Sequence, residues 1–128
     1  MAMGLSGLRI LVVEDAADIR EVFAILLRAE GAHVVPAANG REALEALAHQ
    51  TFDVIMSDLG LPDVQGDALI RQMLATARNR VRVVVITGYG EPYLTRARQA
   101  GAEVVFIKPV EWTRVLDYLG RIGLAATA

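Results

Sequence analysis

Apolar residues in this chain gather into short unbroken runs. Four stand out, at residues 10–13, 54–56, 83–86 and 104–107, all dominated by Val, Ile and Leu. Continuous aliphatic runs of this length suit strands that are covered on both faces. A weaker fifth run, His33-Val34-Val35, lies between the first two. Between the runs, apolar positions return every three or four residues. Ile19, Val22, Phe23, Leu26 and Leu27 keep the spacing of one helix face and are expected to form its buried side. Asn39 followed three residues later by Glu42 resembles a capping box ahead of Ala43, Leu44 and Leu47. Residues 68–77 and 93–100, and a segment carrying Trp112, Val115, Leu116 and Leu119, supply three more helices. Gly31 and Gly101 fall where helix ends call for a positive φ.

The resulting order is strand–helix repeated five times. Such alternation predicts an α/β fold with a parallel sheet and helices on both faces. Covering both faces requires the winding to reverse once, which opens a crevice at the C-terminal edge of the strands. Residues just after strands are therefore the place to look for chemistry. No internal repeat, linker or low-complexity segment interrupts the pattern, and only residues 1–7 and 124–128 read as loose ends.

Composition narrows the classes. At 128 residues, 54% of them apolar, the chain is one domain with enough material for a real core. The absence of cysteine excludes a disulfide scaffold, a thiolate metal site and a cysteine nucleophile. Thirteen Lys and Arg against fifteen Asp and Glu give a net charge of -2, which offers no global case for nucleic-acid or membrane binding. No apolar run approaches a bilayer span, and the start of the chain lacks a signal-peptide h-region, so a cytoplasmic protein is expected.

The strand ends carry the candidate chemistry. The first strand runs into Glu14-Asp15, the third into Asp58, the fourth into Thr87-Gly88 and the fifth into Lys108-Pro109. Three carboxylates on one sheet edge repel one another unless a cation intervenes, and a hard divalent ion with oxygen ligands fits that need. A carboxylate nucleophile, a metal, an ammonium and a hydroxyl together suit an incoming phosphoryl group. Competing readings fail on context. Gly88-Tyr89-Gly90 follows the fourth strand and lacks a third glycine, and no Gly-x-x-x-x-Gly-Lys-Ser/Thr exists, which excludes a P-loop. A flavin site would need a phosphate cradle where Glu14-Asp15 stands.

Glu14-Asp15, the run Asp58-Leu59-Gly60-Leu61-Pro62 with Gly66, Thr87-Gly88 and Lys108-Pro109 together resemble the receiver domain of two-component response regulators. The resemblance covers residues 8–123 and implies a flavodoxin-like (βα)5 fold with strand order 2-1-3-4-5. It implies a phosphoacceptor at Asp58 that takes a phosphoryl group from a histidine kinase phosphohistidine in a Mg2+-dependent reaction. Asp15, Asp58 and the backbone carbonyl of Gly60 would hold the Mg2+ directly, with Glu14 acting through a water. Thr87 and Lys108 would bind the phosphoryl oxygens, and Pro109 would follow a cis bond that aims the lysine. Such a bacterial signalling domain is no enzyme beyond its own phosphotransfer and dephosphorylation. Its output would pass through the face made by the fourth helix, fifth strand and fifth helix, to an effector protein or a parent-chain domain. The chain reads as filled by one receiver, either stand-alone or cut from a hybrid kinase. The resemblance allows a weak homodimer. The alternative is a receiver-like interaction domain that works without phosphorylation.

Three positions depart from or specialise the family pattern. Many receivers carry an aromatic residue three positions before the lysine; here it is Val105, and the next residue, Phe106, should point to the other face. Gly60 and Tyr89 flank the phosphoryl site, so Tyr89 is expected to shield it. The remaining singular residues read as structural: Met56 and Met73 as core filler, His33 and His49 as surface, Trp112 as partly packed, and Arg78, Arg80 and Arg82 as a solvated edge.

Overall fold

The computed structural model describes residues 4–127, with side chains described through residue 123. Five strands alternate with five helices: β1 (Arg9–Val13), α1 (Ala17–Ala29), β2 (His33–Ala37), α2 (Gly40–His49), β3 (Val54–Ser57), α3 (Gly66–Thr76), β4 (Arg82–Thr87), α4 (Tyr93–Ala100), β5 (Ala102–Ile107) and α5 (Trp112–Thr127). All strand pairs are parallel, in the order β2-β1-β3-β4-β5. β1, β3 and β4 are therefore internal, and their aliphatic runs are buried on both faces. β2 is an edge strand that tolerates Pro36, which has no N–H to give to a further neighbour.

Pleating divides the core in two. Leu11, Val13, Ile55, Val83 and Val85 point to one face and pack with residues of α2, α3 and α4, including Leu47, Leu69, Met73 and Ala97. Ile10, Val12, Met56, Val84 and Ile86 point to the other and pack with Ala24 and Leu27 of α1 and Val115, Leu119 and Ile122 of α5. Val105 joins the first cluster and Phe106 the second, where Phe106 meets Tyr118 edge-on at 6.1 Å. The expected split of these two neighbours is what the pleat produces.

Local signals behave largely as expected. The Asn39 side chain accepts the Glu42 N–H at 2.9 Å, and Glu42 reaches back to the Ala38 N–H at 2.9 Å. Gly31 and Gly101 end α1 and α4 at φ values of 95° and 121°. α1 corrects one expectation. Its buried residues are Ala24 and Leu27, with Phe23 stacked on Trp112 at 5.5 Å, whereas Ile19, Val22, Ile25 and Leu26 are exposed. The small Ala24 side chain lets the helix lie close to the sheet, and that contact line leaves the bulkier apolar stripe outside. The chain ends also differ from expectation. Residues 1–3 and 128 lie outside the described residues. Gly4–Gly7 form a turn rather than a loose end, with Leu5 1% exposed and its N–H given to Glu30 O at 2.9 Å. At the other end, α5 continues to Thr127.

Candidate functional site

Parallel strands of similar length deliver their following residues to one edge. The sheet ladder carries on a step beyond the strands there: Glu14 N–H bonds Ala37 O at 3.0 Å, Asp58 N–H bonds Val13 O at 3.2 Å, and Lys108 N–H bonds Thr87 O at 2.8 Å. These bonds fix the Cα positions of Glu14, Asp58 and Lys108 before any side chain acts. The Lys108 ammonium then spans the pocket, 3.0 Å from Asp58 Oδ2 and 3.5 Å from Glu14 Oε1. Asp58 Oδ1 accepts the N–H groups of Leu59 at 2.6 Å and Gly60 at 3.3 Å. Glu14 Oε2 accepts the Ala16 N–H at 3.2 Å. Thr87 is fully buried, and its Oγ1 accepts the Tyr89 N–H at 3.2 Å. Asp15 stands exposed at the mouth.

The two inner carboxylates are driven apart. Burial pushes Glu14 above its ordinary value, and the negative charge of Asp58 adds to that, against the Ala16 N–H and the Lys108 charge. Burial works to raise Asp58 more than any single contact lowers it, but the hydrogen bond and charge of Lys108, the Gly60 N–H and Thr87 together outweigh it and hold the carboxyl below its usual range. Lys108 loses basicity to burial and regains more from Asp58 and Glu14, so it stays above its ordinary value. Lys108 and the loop amides thus favour the ionised form of Asp58, while burial works against ionisation of Glu14.

The segment after Asp58 is a tight loop. Gly60 and Gln65 form an antiparallel bridge, and Gly66 packs so closely on Leu59 that a Cβ would stand 2.6 Å from the Leu59 Cα. Asp63 caps α2 from across the loop, accepting the Gly40 N–H at 2.9 Å and the Arg41 N–H at 3.1 Å. Tyr89 lies over Gly60: a Cβ there would meet its hydroxyl at 2.9 Å. Tyr89 in turn packs on Tyr93, with ring centroids 5.1 Å apart. Beneath these rings a cleft of about 390 Å³ runs along the loop from Leu59 to Asp67.

The structure thus brings together Glu14, Asp15, Asp58, Gly60, Thr87, Tyr89 and Lys108. Pro109 follows a cis bond, as does Pro92. Val105 faces the core on the α4 side, away from Phe106. Arg20 was not legible as a site residue, yet its guanidinium reaches the backbone carbonyls of Glu14 at 2.8 Å and Asp15 at 3.3 Å. The sole hint in the sequence is an arginine one turn into the helix that follows the acid pair. Among the described residues no three His, Cys, Asp or Glu side chains form a ready-made metal cluster. The donors available are instead the carboxylates of Glu14 and Asp58 around Lys108, with Asp15 next to Glu14, and the Gly60 carbonyl, all hard oxygens. That set fits Mg2+, which takes one or two carboxylates and fills its other positions with water and phosphate oxygens.

Comparison with known proteins shows the family. The model of the response regulator receiver domain family matches residues 10–119. The chain belongs to that family, and is a signalling domain of the kind that works with histidine kinases and effector domains in two-component systems. It is 29% identical over 110 residues to sporulation initiation phosphotransferase F of Bacillus subtilis, covering 85% of this chain and 88% of that protein. It is 29% identical over 119 residues to the chemotaxis protein CheY of Thermotoga maritima, covering 91% and 98%. Among solved structures, the receiver domain of a sensor histidine kinase from Pseudomonas aeruginosa PAO1, described with magnesium in its active-site cleft, superposes with a TM-score of 0.82 at 28% identity, covering 92% and 98%. Other relatives are longer, and the chain spans 46% of one and 25% of another.

Proposed function

We propose that this chain is a phosphorylation-dependent receiver that takes a phosphoryl group from a kinase phosphohistidine onto Asp58. The observation that carries the reading is the state of Asp58 itself. Its carboxylate is held ionised by the Lys108 ammonium 3.0 Å away, with its other oxygen on two loop amides. In the step proposed, a carboxylate oxygen of Asp58 attacks phosphorus in line, the N–P bond of the donor breaks, and the imidazole leaves with the electron pair. Lys108 lies within reach of the incoming phosphoryl oxygens, and the Thr87 hydroxyl faces the same space. Asp15, Asp58 and the Gly60 carbonyl would hold Mg2+, with Glu14 through a water; when bound, the ion neutralises the phosphoryl charge. The acyl phosphate adds about -1.5 to -2 charge at the pocket, which biases the loops bearing Thr87 and Lys108 and the face of α4, β5 and α5 beyond them.

The exposed apolar stripe of α1 supports a protein as the phosphoryl donor. Ile19, Val22 and Leu26 begin one turn from Glu14-Asp15 and give a donor protein a dry surface beside the pocket. No helix among the described residues is long and apolar enough to cross a membrane. The test is phosphorylation by acetyl phosphate, read by intact mass. One phosphoryl group per chain is expected with Mg2+, none with a chelator, and none in Asp58→Asn. Labelling that persists in Asp58→Asn overturns the assignment. A wild-type chain that stays unlabelled while an authentic receiver is labelled favours an interaction domain that works without phosphorylation.

A further inference from the structure

Arg20 contacts the site through its backbone alone. It lies half-buried on the first turns of α1, and its Nη1 donates to Glu14 O at 2.8 Å and Asp15 O at 3.3 Å. Those carbonyls belong to the two residues that form the acidic side of the pocket. Glu14 is also anchored through Ala37 O and the Ala16 N–H. Asp15 is exposed and follows directly on the strand end, so its peptide planes depend on what grips the turn. From this geometry we infer that Arg20 is a positioning residue: by tying both carbonyls to one guanidinium it fixes the direction of the Asp15 carboxylate and preorganises the acid pair for a divalent cation. The inference rests on the cation site proposed above.

Two roles for a guanidinium at this place predict opposite signs. A countercharge to the acids would compete with Mg2+, and its removal would tighten cation binding. A clamp on the loop would aid Mg2+, and its removal would weaken binding even though a positive charge has gone. Supporting contacts behind metal ligands are commonly worth about 10-fold or more in affinity. The planar fork of arginine also matters, because a lysine presents a point charge with different reach.

The experiment is calorimetric titration of the unphosphorylated chain with Mg2+, for wild type, Arg20→Met and Arg20→Lys, with the thermal midpoint in chelator as a fold control. The expected result is a rise of about 10-fold in the Mg2+ dissociation constant for Arg20→Met, with part of it recovered in Arg20→Lys. Labelling by acetyl phosphate should regain the wild-type rate at saturating Mg2+. Unchanged or tighter binding in Arg20→Met overturns the clamp while leaving the cation site intact. Absence of Mg2+ binding in wild type overturns the cation site and the clamp with it. If Arg20→Met does not fold, Arg20→Lys decides alone: equal affinity to wild type sinks the clamp, and weaker affinity supports it.

Discussion

Replacing Gly66 with alanine adds one methyl group at the tightest point behind the phosphoryl pocket. The new Cβ would lie 2.6 Å from the Leu59 Cα, 2.7 Å from its Cδ2 and 2.8 Å from its Cβ. Gly66 has no positive φ, so the cost comes from close approach rather than backbone conformation. Leu59 cannot step aside freely. It is buried, its N–H bonds Asp58 Oδ1, and the next residue bridges to Gln65. Overpacking of this kind costs about 1–3 kcal/mol. Alanine's helix preference at the first position of α3 returns a fraction of that. At about 4 °C per kcal/mol for a domain of this size, the thermal midpoint should fall by roughly 4–12 °C. Urea unfolding followed by circular dichroism measures the loss, and amide shifts of Leu59 and Gly60 locate it. Gly88→Ala and Gly90→Ala are the controls. Nothing lies within 4 Å of a Cβ at either position, so both should stay within about 1 kcal/mol of wild type and on the stabilising side. A Gly66→Ala midpoint equal to that of Gly88→Ala would refute the steric reasoning.

Three further outcomes are expected. Asp58 is held below its ordinary value, so the stability it gains from Lys108 is present above about pH 4 and fades as pH falls through the lowered value; Lys108, held above its ordinary value, keeps its share up to alkaline pH. Lys108→Met should therefore melt lower than wild type at pH 7, with the gap closing under acid, and a gap that stays constant with pH would contradict the pairing. Tyr89→Ala should shorten the lifetime of the phosphorylated form by uncovering Gly60, as read from loss of mass label after donor removal; an unchanged half-life would refute shielding. Beryllofluoride with Mg2+ should shift amide signals along residues 87–93 and the loop after Asp58 more than at Val105, because Tyr89 and Tyr93, packed against each other at a tilt, lie beside the pocket in place of an aromatic at position 105. Large shifts at Val105 and across α4 would show that a conventional strand-5 route persists.

The sheet and the pocket were legible for the same reason. Continuous Val and Ile runs separated by helical spacing put Glu14-Asp15, Asp58, Thr87 and Lys108 on one sheet edge, because parallel strands end on the same side. The strand order itself came from resemblance, since several orders satisfy the pattern. α1 misled because it has two apolar stripes. Spacing alone cannot say that Ala24 and Leu27 face the sheet while Ile19 and Val22 face out; packing on strands distant in sequence decides that. Arg20 was hidden for another reason. Its partners are carbonyl oxygens, and a backbone group leaves no trace in residue type. Leu5 leaves no signal in the sequence because a lone leucine in a glycine-rich turn carries no periodicity, although it is buried and its N–H bonds Glu30 O.

The stack of Trp112 on Phe23 gives the chain a spectroscopic property. Trp112 is the one tryptophan of the sequence, half-buried where α5 begins and flat against α1, with an interplanar angle of 9°. Its emission thus arises from a single environment beside the exposed stripe of Ile19, Val22 and Leu26. A protein that covers α1 would exclude water from the indole and move that emission to the blue, so intrinsic fluorescence reports docking at this helix without an added dye.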